Sequence, residues 1–366
     1  TQERIFMNGE EIGNEGLGFA HVLTGPEADT SWELPRTGKF SWENSVACPF
    51  EQDKTIVAGF DDTTPGQLYV YIGTKDNSET TTVGKAGLLN GALYGIRVPN
   101  LPLELRATAA TGRFELASLG DVTGLTGNQI QANSVAAGIT QWLRPEDGHW
   151  DPRPGFQNNL YVLMTDRFNT LTSVGRSRMY RFTFDDIRQP ELGGTVTALL
   201  TGIEGQQMMD NMTVDSWGRA VITEDPGNQS YLARVWVYDL NTNRYGAVAR
   251  ANPAFFQSGA SGFLTQDEEH SGIIEAFDLL GEAQYIGNTQ AHYGIPGELV
   301  EGGNLWTITI PRNVSLQCRA DLNDDGELTF DDIQVFIGSY NSTNAGIAVR
   351  ADFNGDQELT FDDIQA

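Results

Sequence analysis

Gln67-Leu-Tyr-Val-Tyr-Ile72 is a run of aromatic and aliphatic residues between turn formers, Pro65-Gly66 before it and Gly73 after it. Alternating runs of this kind, closed at both ends by Gly, Pro, Asn or Asp, are the signal of a β-strand. The same phrase recurs in Ala92-Leu-Tyr-Gly-Ile-Arg-Val98, Leu160-Tyr-Val-Leu-Met164, Met179-Tyr-Arg-Phe-Thr-Phe184, Ala220-Val-Ile-Thr223, Arg234-Val-Trp-Val-Tyr238 and Asn304-Leu-Trp-Thr-Ile-Thr-Ile310. Long amphipathic helical stretches are absent from the first three hundred residues, and the 41 glycines supply the turns. The repetition reads as the inner strands of successive blades, so the expected fold is all-β, a six-bladed β-propeller with about 45–50 residues per blade. A large β-sandwich with insertions is the alternative.

Acidic residues interrupt these strands in turn-flanked clusters: Asn14-Glu15-Gly16, Trp42-Glu43-Asn44, Asp61-Asp62, Pro145-Glu146-Asp147-Gly148, Asp210-Asn211, Glu224-Asp225 and Asp267-Glu268-Glu269-His270. In a propeller the loops of one face converge, so acids remote in sequence can meet. Several carboxylates in one pocket need cations to offset their repulsion, and all-oxygen ligands suit a hard metal. Asx-turns and solvating strand ends are the competing explanation for each pair taken singly.

The C-terminal part is of another kind. Asp321-Leu-Asn323-Asp-Asp325-Gly326-Glu327-Leu-Thr329-Phe-Asp-Asp332 is repeated 31 residues later as Asp352-Phe-Asn354-Gly-Asp356-Gln357-Glu358-Leu-Thr360-Phe-Asp-Asp363. Oxygen-bearing side chains at alternate positions and an acid at position 12 are what a short loop needs to wrap Ca²⁺. The expected ligands are Asp321, Asn323, Asp325, Glu327 and Asp332, then Asp352, Asn354, Asp356, Glu358 and Asp363. An apolar stretch after each loop, Ile333 to Ile337 in the first, reads as an exiting helix. Gln357 replaces the sharp-turn glycine and weakens the second site. The domain division expected is 1–312 for the β-body and 313–366 for the calcium module, which breaks off at Ala366 before a second exit helix is finished.

Charge and cysteine content bound the function. A net charge of −26 argues against a nucleic-acid partner, whose phosphates demand a basic surface, and favours cations as ligands. No apolar run is long enough to span a bilayer, and a chain starting at Thr1 fits a secreted protein that has lost its leader. Cys48 and Cys318 are the two cysteines; they either pair or stay free. Sequons at Asn211, Asn228, Asn313 and Asn341 are no more than this composition produces by chance. No Gly-x-Ser-x-Gly elbow accompanies the four histidines, and no spacing singles out a glycosidase pair.

The duplicated loop with Asp at position 12, followed by a helix, resembles a type I dockerin. That resemblance implies tethering to a cohesin-like or cell-surface protein, or to another copy of this chain, outside the cell. The β-body resembles the PhoX-type secreted alkaline phosphatases through Gly13-Asn-Glu-Gly16, Phe40-Ser-Trp-Glu-Asn44, Lys85-Ala-Gly-Leu-Leu-Asn-Gly-Ala-Leu-Tyr-Gly95 and Leu143-Arg-Pro-Glu-Asp-Gly-His-Trp-Asp-Pro152. Met209-Asp-Asn-Met-Thr-Val-Asp-Ser-Trp-Gly218, Ile222-Thr-Glu-Asp225, Ser271-Gly-Ile-Ile274 and Gln290-Ala-His292 extend it.

This second resemblance implies a six-bladed propeller hydrolysing phosphomonoesters at a centre of calcium and iron (Ca²⁺, Fe³⁺). By position it implies Glu43, Glu146, Asp210 and Glu224 as metal contacts. Glu15, Asp61, Asp62, Asp147, Asn211 and Asp225 follow as further ligands or orienters. Arg144 would grip a phosphate oxygen or pair with Glu146 or Asp147. Where the family carries an iron-binding cysteine this chain has Ser45, with Cys48 three residues on, and Asp61-Asp62 stand where paired glutamates are expected. A non-catalytic, calcium-stabilised propeller serving a matrix, surface layer or filament is therefore the other functional reading.

Overall fold

Each strand-like run quoted above falls on a strand, with only Val98 and Ile310 just past a strand end. A computed structural model describes residues 3–106, 108–166, 177–317 and 330–340. In chain order, β1 (Ile5–Gly9), β2 (Gly18–Val22) and β3 (Thr30–Glu33) form one sheet. Next come β4 (Trp42–Ala47), β5 (Lys54–Asp61), β6 (Gly66–Thr74), β7 (Ala92–Arg97) and β8 (Gly112–Gly120), neighbours in that order, with the short β9 (Gln141–Trp142) on β6. The strands β10 (Pro145–Trp150), β11 (Asn159–Met164), β12 (Arg178–Phe184) and β13 (Gly194–Leu200) join the same sheet where β13 pairs with β8. A four-stranded sheet follows, of β14 (Met209–Val214), β15 (Arg219–Glu224), β16 (Arg234–Asp239) and β17 (Arg244–Arg250). The last sheet is β18 (Glu268–Glu275), β19 (Gln284–Gly294) and β20 (Glu301–Thr309).

These are antiparallel meanders laid out one after another, but in sheets of three, ten, four and three strands, since β13 joins β8 and fuses what the sequence reading expected as separate blades. Short Gly- and Asn-bearing turns permit it, because an antiparallel neighbour needs only a tight reversal whereas a parallel one needs a crossover. Two compact units emerge among the described residues. The first comprises Thr1–Glu104, Ala110–Met164 and Tyr180–Ala198; the second comprises Leu105–Ala109, Thr165–Met179 and Leu199–Ala366. Within the first unit β4 packs beside β1 and β10, and within the second β14 packs beside β18.

Aromatic side chains hold each unit together. In the first, Phe40 stacks on Trp42 with centroids 4.0 Å apart and meets Tyr69 at 4.6 Å. Phe114, Trp142, Tyr180, Phe182 and Phe184 pack edge to face, pairs worth about 0.5–1.5 kcal/mol each beyond their burial. In the second, Val221, Val235, Val237, Ile273, Tyr285 and Ile310 form a core. Beside it lies a buried polar knot: Asp215 accepts from Arg219 Nε at 2.7 Å and from the Tyr285 hydroxyl at 2.6 Å.

The expected exit helix is present as Phe330–Tyr340, and Asp332 is buried in its first turn. Asp321, Asn323, Asp325, Glu327, Asp352, Asn354, Asp356, Glu358, Asp363 and Cys318 lie outside the described residues. Cys48 is a free thiol, and burial pushes its pKa up to about 11. No described helix is long and apolar enough to cross a membrane.

Candidate metal centre

A β-bulge recurs at one place in four strand pairs. On β4, Glu43 and Asn44 together oppose the single residue Phe60 of β5. On β10, Glu146 and Asp147 oppose Leu163; on β14, Asp210 and Asn211 oppose Thr223; on β18, His270 and Ser271 oppose Thr289. A bulge puts an extra residue into one strand and re-aims its side chains, a device common beside active sites. Three of the four bulges carry an acid followed by an acid or amide. The backbone entering two of these strands is left-handed at non-glycine residues, Arg144 at φ 58° and Met208 at φ 50°. That conformation costs on the order of 1–3 kcal/mol unless the surroundings impose it.

In the first unit the β4 bulge brings Glu43 to Glu11 and Asp62, and one carboxylate oxygen from each lies within 4.8 Å of the others. Burial, then the charge of Asp62, raises the pKa of Glu11. Three carboxylates this close repel one another, and a cation among them offsets that repulsion. Arg144 forks onto Asp62, with Nε 2.6 Å from Oδ1 and Nη2 2.9 Å from Oδ2, and reaches Glu146 Oε1 at 2.6 Å. It is thus paired with Glu146, one of the two acids the sequence offered, and also with Asp62. Its guanidinium holds Asp62 and Glu146 against one another. Asp61 is buried, accepts from Gln67 N at 3.2 Å through Oδ2, and leaves Oδ1 with no hydrogen-bond partner. Burial pushes its pKa up to about 7.

Asp147 is buried and turns one oxygen to Gly148 N at 2.7 Å. Glu15 is exposed and meets Asn128 N at 3.4 Å; Glu11 stands in the carboxylate cluster instead. Ser45 Oγ, at the place of the family cysteine, is buried without a hydrogen-bond partner, which leaves an oxygen and not a thiolate beside the bulge.

In the second unit Asp210 and Asn211 are buried on the β14 bulge, and Asn211 Oδ1 has no hydrogen-bond partner. Glu224 is fully buried with four donors on its carboxylate: Gln207 N, Tyr231 OH, Trp236 Nε1 and Arg234 N, at 2.7, 3.2, 2.8 and 2.9 Å. Burial still pushes its pKa up to about 7. Asp225 caps the following turn through Gly227 N. In the cluster Asp267-Glu268-Glu269-His270, Glu268 is the buried acid: Oε1 accepts from Ala233 N at 3.0 Å, Oε2 has no partner, and burial lifts its pKa to about 7. His270 is committed to the fold, with Nδ1 2.8 Å from Thr289 Oγ1 and a further bond to the Ala233 backbone, and burial holds its pKa near 4.

Glu11 is a cluster member that the sequence reading missed; its one signal is that it follows another acid, Glu10. What could have exposed the bulges is the doublet of an acid with Asn or Asp at Glu43-Asn44, Glu146-Asp147 and Asp210-Asn211, each at the second and third positions of a strand.

No protein-family model matches this chain, and no curated protein sequence matches it. Its structure is similar to that of PhoX from Pseudomonas fluorescens, solved in complex with vanadate, a transition-state analogue. The TM-score is 0.57 at 16% sequence identity, over 80% of this chain and 57% of that one. The fold is PhoX-like. This chain thus spans little more than half the length of that protein.

Proposed function

We propose that the chain is a secreted, metal-dependent phosphomonoesterase of the PhoX type, its six-bladed body tethered outside the cell by the calcium loops between Asp321 and Asp363. The observation that carries the reading is the meeting of Glu11, Glu43 and Asp62 beside Arg144 and Glu146 in a PhoX-like fold. A divalent cation held there would offset charge on phosphoryl oxygens and assist attack on the ester. Arg144 holds Asp62 and Glu146 in a fixed mutual orientation, and the bulge at Glu43-Asn44 aims Glu43 at the same point. All the donors are hard oxygens, which suits a hard cation such as calcium, and the neutral thiol of Cys48 withholds the thiolate that the resemblance assigns to iron. The helix directly after the first loop supports the tail reading and, with it, a cohesin-like or cell-surface partner.

Hydrolysis of p-nitrophenyl phosphate in calcium tests this. Glu43→Gln should lower kcat/KM by about a hundredfold, a loss of about 2.7 kcal/mol of transition-state stabilisation. Undiminished turnover in that variant rejects the assignment. Ser45 in place of a thiolate favours a second reading, a calcium-stabilised extracellular scaffold without turnover, in a matrix, surface layer or filament. Stoichiometric calcium with no hydrolysis by the wild-type protein would select it.

A further inference from the structure

Along the β16–β17 pair, Asp239 lies opposite Arg244, the complementary arrangement that stabilises an antiparallel ladder. At the other end Arg234 lies opposite Arg250. Two like charges directly across a strand pair are destabilising, and this occurs in a chain with 49 acids against 23 lysines and arginines. Some arginines of the chain do pair with an acid, as Arg113 does with Asp185 at 2.7 Å. Among the described residues neither Arg234 nor Arg250 has a carboxylate partner.

The surroundings of the pair are rigid. The Arg234 guanidinium lies over the Tyr231 ring at 4.9 Å and near the Trp236 ring at 5.9 Å. Both rings are pinned from beneath, since Tyr231 OH and Trp236 Nε1 donate to the buried Glu224. The Glu224 oxygens are taken by these two groups and by the backbone N–H groups of Gln207 and Arg234, and the half-buried Arg234 guanidinium makes no ion pair with them. Arg250 is exposed beside it. Directly opposed residues hold their Cβ atoms about 5 Å apart, near enough for two planar forks to close on one tetrahedral group.

We propose that Arg234 and Arg250 form a binding site for a doubly charged tetrahedral oxyanion, the phosphate or sulfate group of a larger ligand, on the second unit. The ligand supplies the negative charge that the sheet omits. This site shares no residue with the Glu11–Glu43–Asp62 cluster and does not depend on hydrolysis there.

Calorimetric titration of the full chain at low ionic strength, with inorganic phosphate and with inorganic sulfate as separate probes, tests it. Binding of either anion at about 1 mM or tighter is expected. Phosphate alone points to a phosphorylated ligand, sulfate alone to a sulfated one, and binding of both to a site that takes either group. Arg250→Glu should weaken binding at least about tenfold while its melting temperature holds or rises, because the new acid pairs with Arg234. Arg234→Gln should also lose the anion, whereas Glu43→Gln should keep it. Binding that survives Arg250→Glu, that disappears with Glu43→Gln alone, or that is absent for both anions overturns the proposal.

Discussion

Asp61 is an acid kept in a place that penalises its charge. The unfolded chain ionises it near pH 4 and the folded chain near pH 7, so between those values the unfolded state has already released the proton that the folded state retains. Stability therefore falls as pH rises through that window, relative to Asp61→Asn, by up to about 4 kcal/mol when no metal is bound. Urea unfolding of both proteins in EDTA at pH 4.5 and 7.5 reads the difference; parallel behaviour at the two pH values would contradict the burial argument. Asp215 is the opposite case, an acid fully paired in the interior. Asp215→Asn leaves Arg219 buried without its counter-charge, and a loss of about 3–5 kcal/mol is expected in the same unfolding assay. Both residues read as ordinary acids in the sequence, since neither burial nor pairing is local information.

Strands are the part of this fold that was legible beforehand. Runs such as Leu160–Met164 and Arg234–Tyr238 carry their period and their bounding turns with them, so their conformation follows from neighbours along the chain. The bulges do not announce themselves this way, because an extra residue in β4 exists only relative to the register of β5. A bulge can be tested by removing it. Deletion of Asn44 restores regular pairing and removes the extra residue that re-aims Glu43. Calcium binding at the first unit should then be lost while far-UV circular dichroism keeps its β signature; retained binding would show that the bulge does not aim the ligand. At the helix Gly127–Ala136, Thr126 and Gln129 form a reciprocal capping box, and Thr126→Ala should cost about 1 kcal/mol.

Across the whole molecule the dominant facts are the net charge of −26 and the cation sites set against it. A compact body repels itself at such a charge, and bound cations relieve that repulsion as well as bridging specific acids. Calcium at a hundred times its dissociation constant adds about 2.7 kcal/mol per site. For a domain of this size the melting temperature should rise by about 5–10 °C on adding calcium and fall by as much in EDTA. An unchanged melting temperature in EDTA would remove the cation from the account.

Residue types and their spacing along the chain were enough to determine the all-β character, the acidic surface and the helix after the first calcium-type loop, because secondary structure and charge depend on near neighbours. Which acids meet was decided only by the tertiary fold. Glu11, Glu43 and Asp62 converge, Glu15 faces solvent, and Arg144 holds Asp62 and Glu146, all through strand registers and bulges that join residues far apart in sequence.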